Sequence, residues 1–390
     1  MDDLDNQAVP GTSRGTTRRT FLGRSAAAGL ALTALPTVIS ACGGGGGSEG
    51  SVNVLSYEAY IDPEIKKLWA AAFPNITLVG TPAGSSAELL TKLRAGGANS
   101  YDVAFTNFGY CPLFYENGLV EPINLNDTDA GKQLYPQFRE DVDAFPYLLK
   151  PGIALGMPGE WAPTAMAWNT TVESTPTKPY TWSDLWSESI PSGKIGLEGL
   201  SPEGFVATAA LAMGVPAEKV YSLGPTELEK VVAYMRQIKP FRLFEADPLM
   251  RNALRTADVW AGLVPTPGFA GKINEEAGEK VTESVLPEEG SVGFLDGPML
   301  VKNATNKANA MKFINWFGSD PKLRDYVFET YRAAPCNQPT VERLQKKGGE
   351  SARLVKELRG PEPEVAATIV QEQPPKNLKA YTAAWDEILA

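Results

Sequence analysis

The chain of 390 residues contains no histidine and three cysteines. Without an imidazole there is no Ser-His-Asp or Cys-His nucleophile, no histidine general base and no histidine metal site. Three cysteines, Cys42, Cys111 and Cys336, are too few for a structural zinc site. No metal and no cofactor is therefore expected. Carboxylates are the acid–base groups that remain. A pair of them can hydrolyse a glycoside, and Glu58 with Glu203 or Asp296 would be the pair available here. The net charge is −10, from 46 acidic and 36 basic residues, with no basic patch. That balance argues against nucleic acid as a partner. It would help attract a cationic solute, although solubility is the commoner explanation.

The amino end carries a different chemistry. Arg18-Arg19 is followed by Thr20-Phe21-Leu22, an uncharged apolar run from Ser25 to Ile39, and Ile39-Ser40-Ala41-Cys42. A positive start, a short apolar run and a small-residue cleavage site read as a secretion signal. The twin arginines point to the Tat route. The apolar run is about 15 residues, short of the roughly 20 that a spanning helix needs. The stretch resembles a bacterial lipoprotein signal, in which the cysteine after the cleavage site is lipidated. An uncleaved anchor is the alternative. Either way the remainder is expected to work outside the cytoplasm, lipid-anchored through Cys42 to the outer face of the cell membrane or in the periplasm. Residues 43–50, five glycines then Ser48-Glu49-Gly50, make a flexible tether with a reach of roughly 15 Å. With Cys42 so used, Cys111 and Cys336 form an even pair in an oxidising compartment. They could form a disulfide or remain two buried thiols.

The chain beyond Cys42 is too long for one comfortable core, so two lobes are expected. Ser51–Tyr57 reads as a strand, Glu64–Phe73 as a helix opened by Asp62-Pro63, and Ile76–Gly80 as a second strand. A helix capped by Ser85 or Ser86 runs to about Arg94, and Tyr101–Thr106 is a third strand. Alternating strands and helices imply a parallel sheet with crossover helices. Ligands bind such sheets beyond the carboxyl ends of the strands. Those ends are Tyr57–Tyr60 and Thr106–Tyr110, which offers Tyr57, Glu58, Tyr60, Asn107, Phe108 and Tyr110. Pro122–Lys150 has little periodicity and reads as surface structure. Met157–Asn169 is strand-like and is expected to cross into the second lobe. There, strands at 194–198 and 258–264 alternate with helices at 202–213, 226–238 and 248–257, and the strand at 258–264 is expected to lead back. Strands at 280–286 and 292–301, helices from 306 and 321, and a last helix at 378–389 complete the chain.

Several segments resemble one family. Tyr57-Glu-Ala-Tyr60-Ile-Asp-Pro63, Tyr101-Asp-Val-Ala-Phe105 and Glu116-Asn-Gly-Leu-Val-Glu-Pro-Ile123 are similar to the first lobe of ABC-transporter solute-binding proteins, of the spermidine/putrescine-binding type. Trp161–Asn169, Tyr180–Trp186, Pro287–Gly290, Asp296, Ala308–Trp316 and Ser319-Asp-Pro321 continue the likeness over most of the chain after Cys42. The resemblance implies an α/β, two-lobe periplasmic-binding-protein-like fold of type II with a hinge between the lobes. Lobe 1 would be 51–160 plus 266–335, and lobe 2 would be 161–265 plus 336–390. In the polyamine-binding group, rings line a cleft and carboxylates grip ammonium ends. A buried ammonium needs a paired charge, and a ring face adds about 0.5–2 kcal/mol over a cation. Position by position, the resemblance adds Trp161, Thr164, Glu203 and Asp296 to the residues at the strand ends. It departs at Leu200, where the family has a carboxylate, and at Pro265-Thr266, where it has a closing ring. It implies a monomeric binding protein that captures a polyamine-like solute and delivers it to the ABC permease subunits without covalent chemistry. A sugar or other small polar solute, a lipid-anchored glycoside hydrolase, and a surface interaction protein are the alternative readings.

Overall fold

The computed structural model describes residues 50–390 except 97–99, 174, 187, 238–239 and 245–246. Cys42, the signal-like stretch and most of the glycine tether lie outside the described residues.

The chain begins as the alternation of patterns requires. β1 (Ser51–Ser56), β2 (Thr77–Pro82) and β3 (Val103–Asn107) are separated by helices Pro63–Ala72 and Ser86–Arg94. β1 pairs in parallel with both β2 and β3. Each helix starts where a side chain satisfies a free backbone N–H. Asp62 accepts from Ile65 N at 2.8 Å, and Ser85 accepts from Glu88 N at 3.2 Å. Four short strands come next: β4 (Val120–Glu121), β5 (Ile123–Asn124), β6 (Leu148–Lys150) and β7 (Ile153–Ala154). The stretch 122–150, expected at the surface, contributes Leu125, Leu134, Phe138, Phe145 and Tyr147 to the core of the larger lobe.

β8 (Glu160–Pro163) and β9 (Ala165–Asn169) are separated by Thr164 alone, yet they belong to different sheets. The smaller sheet adds β10 (Ile195–Leu197), β11 (Phe241–Leu243), β12 (Ala261–Val264) and β13 (Thr282–Val285), in the order β11-β10-β12-β9-β13. The larger adds β14 (Val292–Val301), β15 (Ala334–Pro335) and β16 (Val370–Gln371). Its order is β15-β8-β14-β3-β1-β2, with β4 and β16 also on β14.

β9 shows how the small lobe is built. Successive residues of a strand face opposite sides. Met166 and Trp168 enter a core with helices Pro202–Ala212, Pro225–Gln237 and Leu378–Leu389. Ala165 and Ala167 enter another with helices Asp247–Arg255 and Phe269–Ala277. Both faces of the small sheet are thus covered, as a largely buried sheet requires.

Two expectations about chain path are corrected here. β12 does not return to the first lobe. Helix Phe269–Ala277 follows it, and β13 then pairs antiparallel with β9, so the return is through 286–291. The tail from Cys336 is not wholly in the second lobe either. Val341, Leu344, Leu354 and Val355 sit in the larger core, while Val370 and helix Leu378–Leu389 pack into the smaller one. The larger lobe comprises 51–163 and 292–371; the smaller comprises 165–285 and the last helix.

The chain crosses between lobes three times, and the crossings are stitched together at the start of β14. Thr164 N and Oγ1 both donate to Val292 O, at 2.8 and 2.7 Å. Val370 N donates to Ser291 O at 3.1 Å, and Glu372 N donates to Gly293 O at 2.9 Å. A Cβ on Gly293 would stand 2.4 Å from Ala162 O and 2.5 Å from Ile369 Cγ2. Only glycine lets three backbones approach this closely.

Candidate functional site

Strand register brings the first acidic residues together. β14 runs antiparallel to β3 and to β8, which sets Asp296 opposite Asn107 on one side and Glu160 on the other. Directly opposed residues in antiparallel strands share a face. Asn107, Asp296 and Glu160 therefore form a row across the larger sheet. All three are buried.

The two acids in the row have different fates. Glu160 is paired: its Oε2 lies 2.9 Å from Arg324 Nη2, and both side chains are inaccessible. Arg324 also donates to Gly159 O at 2.8 Å and covers the Phe317 ring at 5.3 Å. Asp296 lacks such a cation. Tyr60 Oη donates to its Oδ2 at 3.3 Å, while its Oδ1 has no hydrogen-bond partner among the described residues. Burial, then the charges of Glu160 and Glu372, raise the Asp296 carboxyl well above the usual carboxylate range.

Glu372, which sequence reasoning missed, occupies the third crossing. Its Oε1 accepts from Ser201 N at 2.9 Å, at the cap of helix Pro202–Ala212 in the smaller lobe. Its Oε2 faces Asn107 Nδ2 of the larger lobe at 3.5 Å. Burial raises its carboxyl, and the nearby Glu203 raises it further. Glu203 lies half-buried in the first turn of that same helix.

Tyrosines surround these acids. Tyr57 Oη bonds Ser86 Oγ at 2.6 Å and accepts from Asn107 N at 3.3 Å. The Tyr60 ring stacks on Phe105 at 4.1 Å. Tyr110 from the larger lobe and Tyr221 from the smaller are both held protonated by burial and by the charges of Glu372 and Glu203. The Tyr221 hydroxyl has no partner among the described residues. The structure thus brings together Tyr57, Tyr60, Asn107, Tyr110, Glu203 and Asp296 from the sequence reading, and adds Tyr221, Glu160 and Glu372.

The other candidates lie elsewhere. Glu58 is exposed on the turn Glu58–Tyr60, outside the buried cluster. Phe108 turns into the larger core, with its ring 4.6 Å from that of Tyr147. Trp161 is fully buried opposite Leu295 and Ala334. It is adjacent to Glu160 in β8, so the strand period sends it to the opposite face from the acidic row. Thr164 is inaccessible and spends its hydroxyl on Val292 O. Of the two readings left open for Cys111 and Cys336, the structure has the pair of buried free thiols. Cys111 Sγ rests 3.4 Å from Met299 Sδ, while Cys336 is fixed by its own N–H to Gly159 O at 2.9 Å. Burial pushes both thiols well above their ordinary pKa.

Two sequence signals could have led to the missed groups. Arg324 follows Leu323 and precedes Val327 and Phe328, so a charge sits beside the buried stripe of helix Pro321–Tyr331. Glu372 sits between the buried Val370 and Pro374-Pro375, in a stretch that reads from sequence only as a helix break.

Known proteins share this architecture. Residues 66–343 match the family described as bacterial extracellular solute-binding protein. The spermidine/putrescine-binding periplasmic protein of Escherichia coli (strain K12) is 23% identical over 261 residues, covering 66% of this chain and 69% of that protein. The solved structure of a putative spermidine/putrescine ABC transporter from Listeria monocytogenes superposes with a TM-score of 0.70 at 19% identity, covering 87% of this chain and 98% of that one. The Tp0655 (TpPotD) lipoprotein of Treponema pallidum gives a TM-score of 0.66 at 15% identity, covering 87% and 99%. The family is one of solute-binding proteins rather than of enzymes. The chain belongs to the bacterial extracellular solute-binding proteins, which capture small solutes for import.

Proposed function

We propose that the protein captures a small, multiply charged cationic solute of the polyamine type between its lobes and passes it unchanged to a membrane permease. The observation that carries this reading is the trio of buried Asp296 with half-buried Glu372 and Glu203 among tyrosines, in which the charges acting most strongly on Asp296 and Glu372 are other acids. Buried acids without a counter-charge are costly, and an ammonium group relieves the cost. Each carboxylate contact to it adds about 1.5–3 kcal/mol. Tyr57, Tyr60, Tyr110 and Tyr221 supply ring surface for cations and for the methylenes between them. The name of the Escherichia coli relative agrees with this chemistry.

No covalent step is assigned. Glu58 stands outside the cluster, which removes one half of the carboxylate pair that a glycoside hydrolase would use here. The protein acts as a monomer outside the cytoplasm, held to the membrane by acylated Cys42. No helix among the described residues is long and apolar enough to cross a membrane.

Isothermal titration with putrescine, spermidine and a panel of sugars tests the ligand. Binding of the polyamines and not of the sugars is expected; silence from both polyamines would end the assignment. For the anchor, Cys42→Ala is expected to release the protein from the membrane fraction and to abolish incorporation of labelled fatty acid.

A further inference from the structure

Beside the row Asn107–Asp296–Glu160 stands one arginine, and its charge is only partly used. Arg324 projects from helix Pro321–Tyr331 and is 1% exposed, beside Glu160 at 0% and Asp296 at 8%. Its Nη2 makes both polar contacts, to Glu160 Oε2 at 2.9 Å and to Gly159 O at 2.8 Å. Its Nε and Nη1 have no hydrogen-bond partner among the described residues. The same is true of Asp296 Oδ1. A buried donor or acceptor left unpaired is costly. A guanidinium and a carboxylate in that condition suit each other, since their pairing is among the strongest available to side chains.

Little stands between the two. Glu160 lies opposite Asp296 in the antiparallel pair, and Gly159 N donates to Asp296 O at 2.8 Å. The guanidinium rests on the oxygen of that same glycine. A Cβ on Gly159 would stand 2.8 Å from Phe317 Cε1 and 3.5 Å from Arg324 Nη1, so the glycine leaves the space beside the guanidinium clear. Of the groups that hold Arg324, only Glu160 carries a charge. The others are Gly159 O and the face of the Phe317 ring, 5.3 Å away.

We infer that Glu160 is a positioning residue: it holds Arg324 off Asp296, so that the Asp296 carboxylate stays open to the solute instead of closing into an ion pair within the protein. Arg324 is then an internal competitor for that carboxylate, and Glu160 governs binding without touching the solute. This rests on the reading above in which Asp296 meets a cationic solute. It adds the pair of residues behind the cleft that decides whether the contact can form.

Glu160→Gln removes the charge that holds the guanidinium and keeps a side chain of the same shape. A crystal structure of this variant without solute is expected to show Arg324 within about 3 Å of an Asp296 oxygen. Arg324 still on Gly159 O and apart from Asp296 overturns the inference. In isothermal titration, putrescine should bind the variant about ten- to a hundredfold more weakly than it binds the wild type. Adding Arg324→Gln removes the competitor and should return most of that loss. A pair that merely supported the fold would leave the double variant as weak as the single one. Unchanged affinity in Glu160→Gln, or no recovery in the double variant, overturns the inference. Wild-type protein that does not bind putrescine ends the cationic reading, and the crystal structure then decides the role of Glu160 by itself. If Glu160→Gln fails to fold, Glu160→Asp takes its place, because it draws the acid back by one methylene. Weaker binding that Arg324→Gln relieves supports the inference; binding that is not weakened, or not relieved, overturns it.

Discussion

At the scale of single residues the site is defined by where charge is left over. Glu160 and Asp296 face each other across two strands, yet only Glu160 has an arginine. Both Asp296 and Glu372 hold their protons more tightly than an ordinary carboxyl. A cationic solute must displace those protons, so its affinity is expected to rise with pH through the acidic range. Titration at several pH values checks this; flat affinity would mean these acids do not meet the ligand. Asp296→Asn is expected to weaken a diamine by about ten- to a hundredfold at neutral pH. A second carboxyl gives a separate stability prediction. Burial, with Asp247 beside it, pushes Glu198 from 4.5 up to about 9. Between those values the folded state keeps a proton that the unfolded chain releases, so its contribution to stability is full below about 4.5 and is lost as pH rises toward about 9. Glu198→Gln should raise Tm by about 2–4 °C near pH 8 and leave it unchanged near pH 4, by thermal melts at both.

At the scale of elements, local signals were legible and long-range ones were not. The helices opened by Asp62-Pro63 and Asp320-Pro321 were readable because cap and proline are adjacent in the chain, and both aspartates accept the expected backbone N–H. β14 and the helix Leu378–Leu389 matched their patterns over their whole length. The strand ends that give Tyr57, Tyr60, Asn107 and Tyr110 followed from the parallel alternation at the start. The crossing expected within 157–169 is found there, at Thr164, although residues 160–169 are all buried and no turn residue marks the point of change. Helix Phe269–Ala277 was missed behind Pro265-Thr-Pro-Gly268, which reads as a loop. The row Asn107–Asp296–Glu160 depends on register between distant strands, which no local pattern encodes. Gly293 is the element-scale test. A methyl group there meets backbone at 2.4 Å, so Gly293→Ala must push the crossings apart. It is expected to cost about 1–3 kcal/mol in urea unfolding and to weaken ligand binding as well. Wild-type stability would show that the convergence of crossings is not tight.

At the scale of the whole molecule, three crossings make a hinge and an ion pair bridges the lobes. Arg332, in the larger lobe, donates from Nη2 to both Glu275 oxygens of the smaller lobe at 2.7 Å, and Glu350 lies 3.8 Å from its Nη1. Arg332 is buried and takes a left-handed backbone, φ +56, that non-glycine residues seldom adopt. Such a pair holds the two lobes together in the arrangement seen here. Arg332→Gln is expected to enlarge the ligand-free radius of gyration in small-angle X-ray scattering and to weaken capture by about tenfold. An unchanged radius would place the closing force elsewhere. The last helix has a consequence for how the protein is made. Phe205, Val231 and Val232 are sealed by Tyr381, Trp385 and Ile388, which emerge from the ribosome after every strand of both sheets. During synthesis the larger lobe can condense first, while the smaller keeps an open apolar seam until residue 388 is free. Translation stalled before Leu378 would yield a half-finished, sticky product, so chaperone dependence should centre on the final stretch rather than on the opening ones.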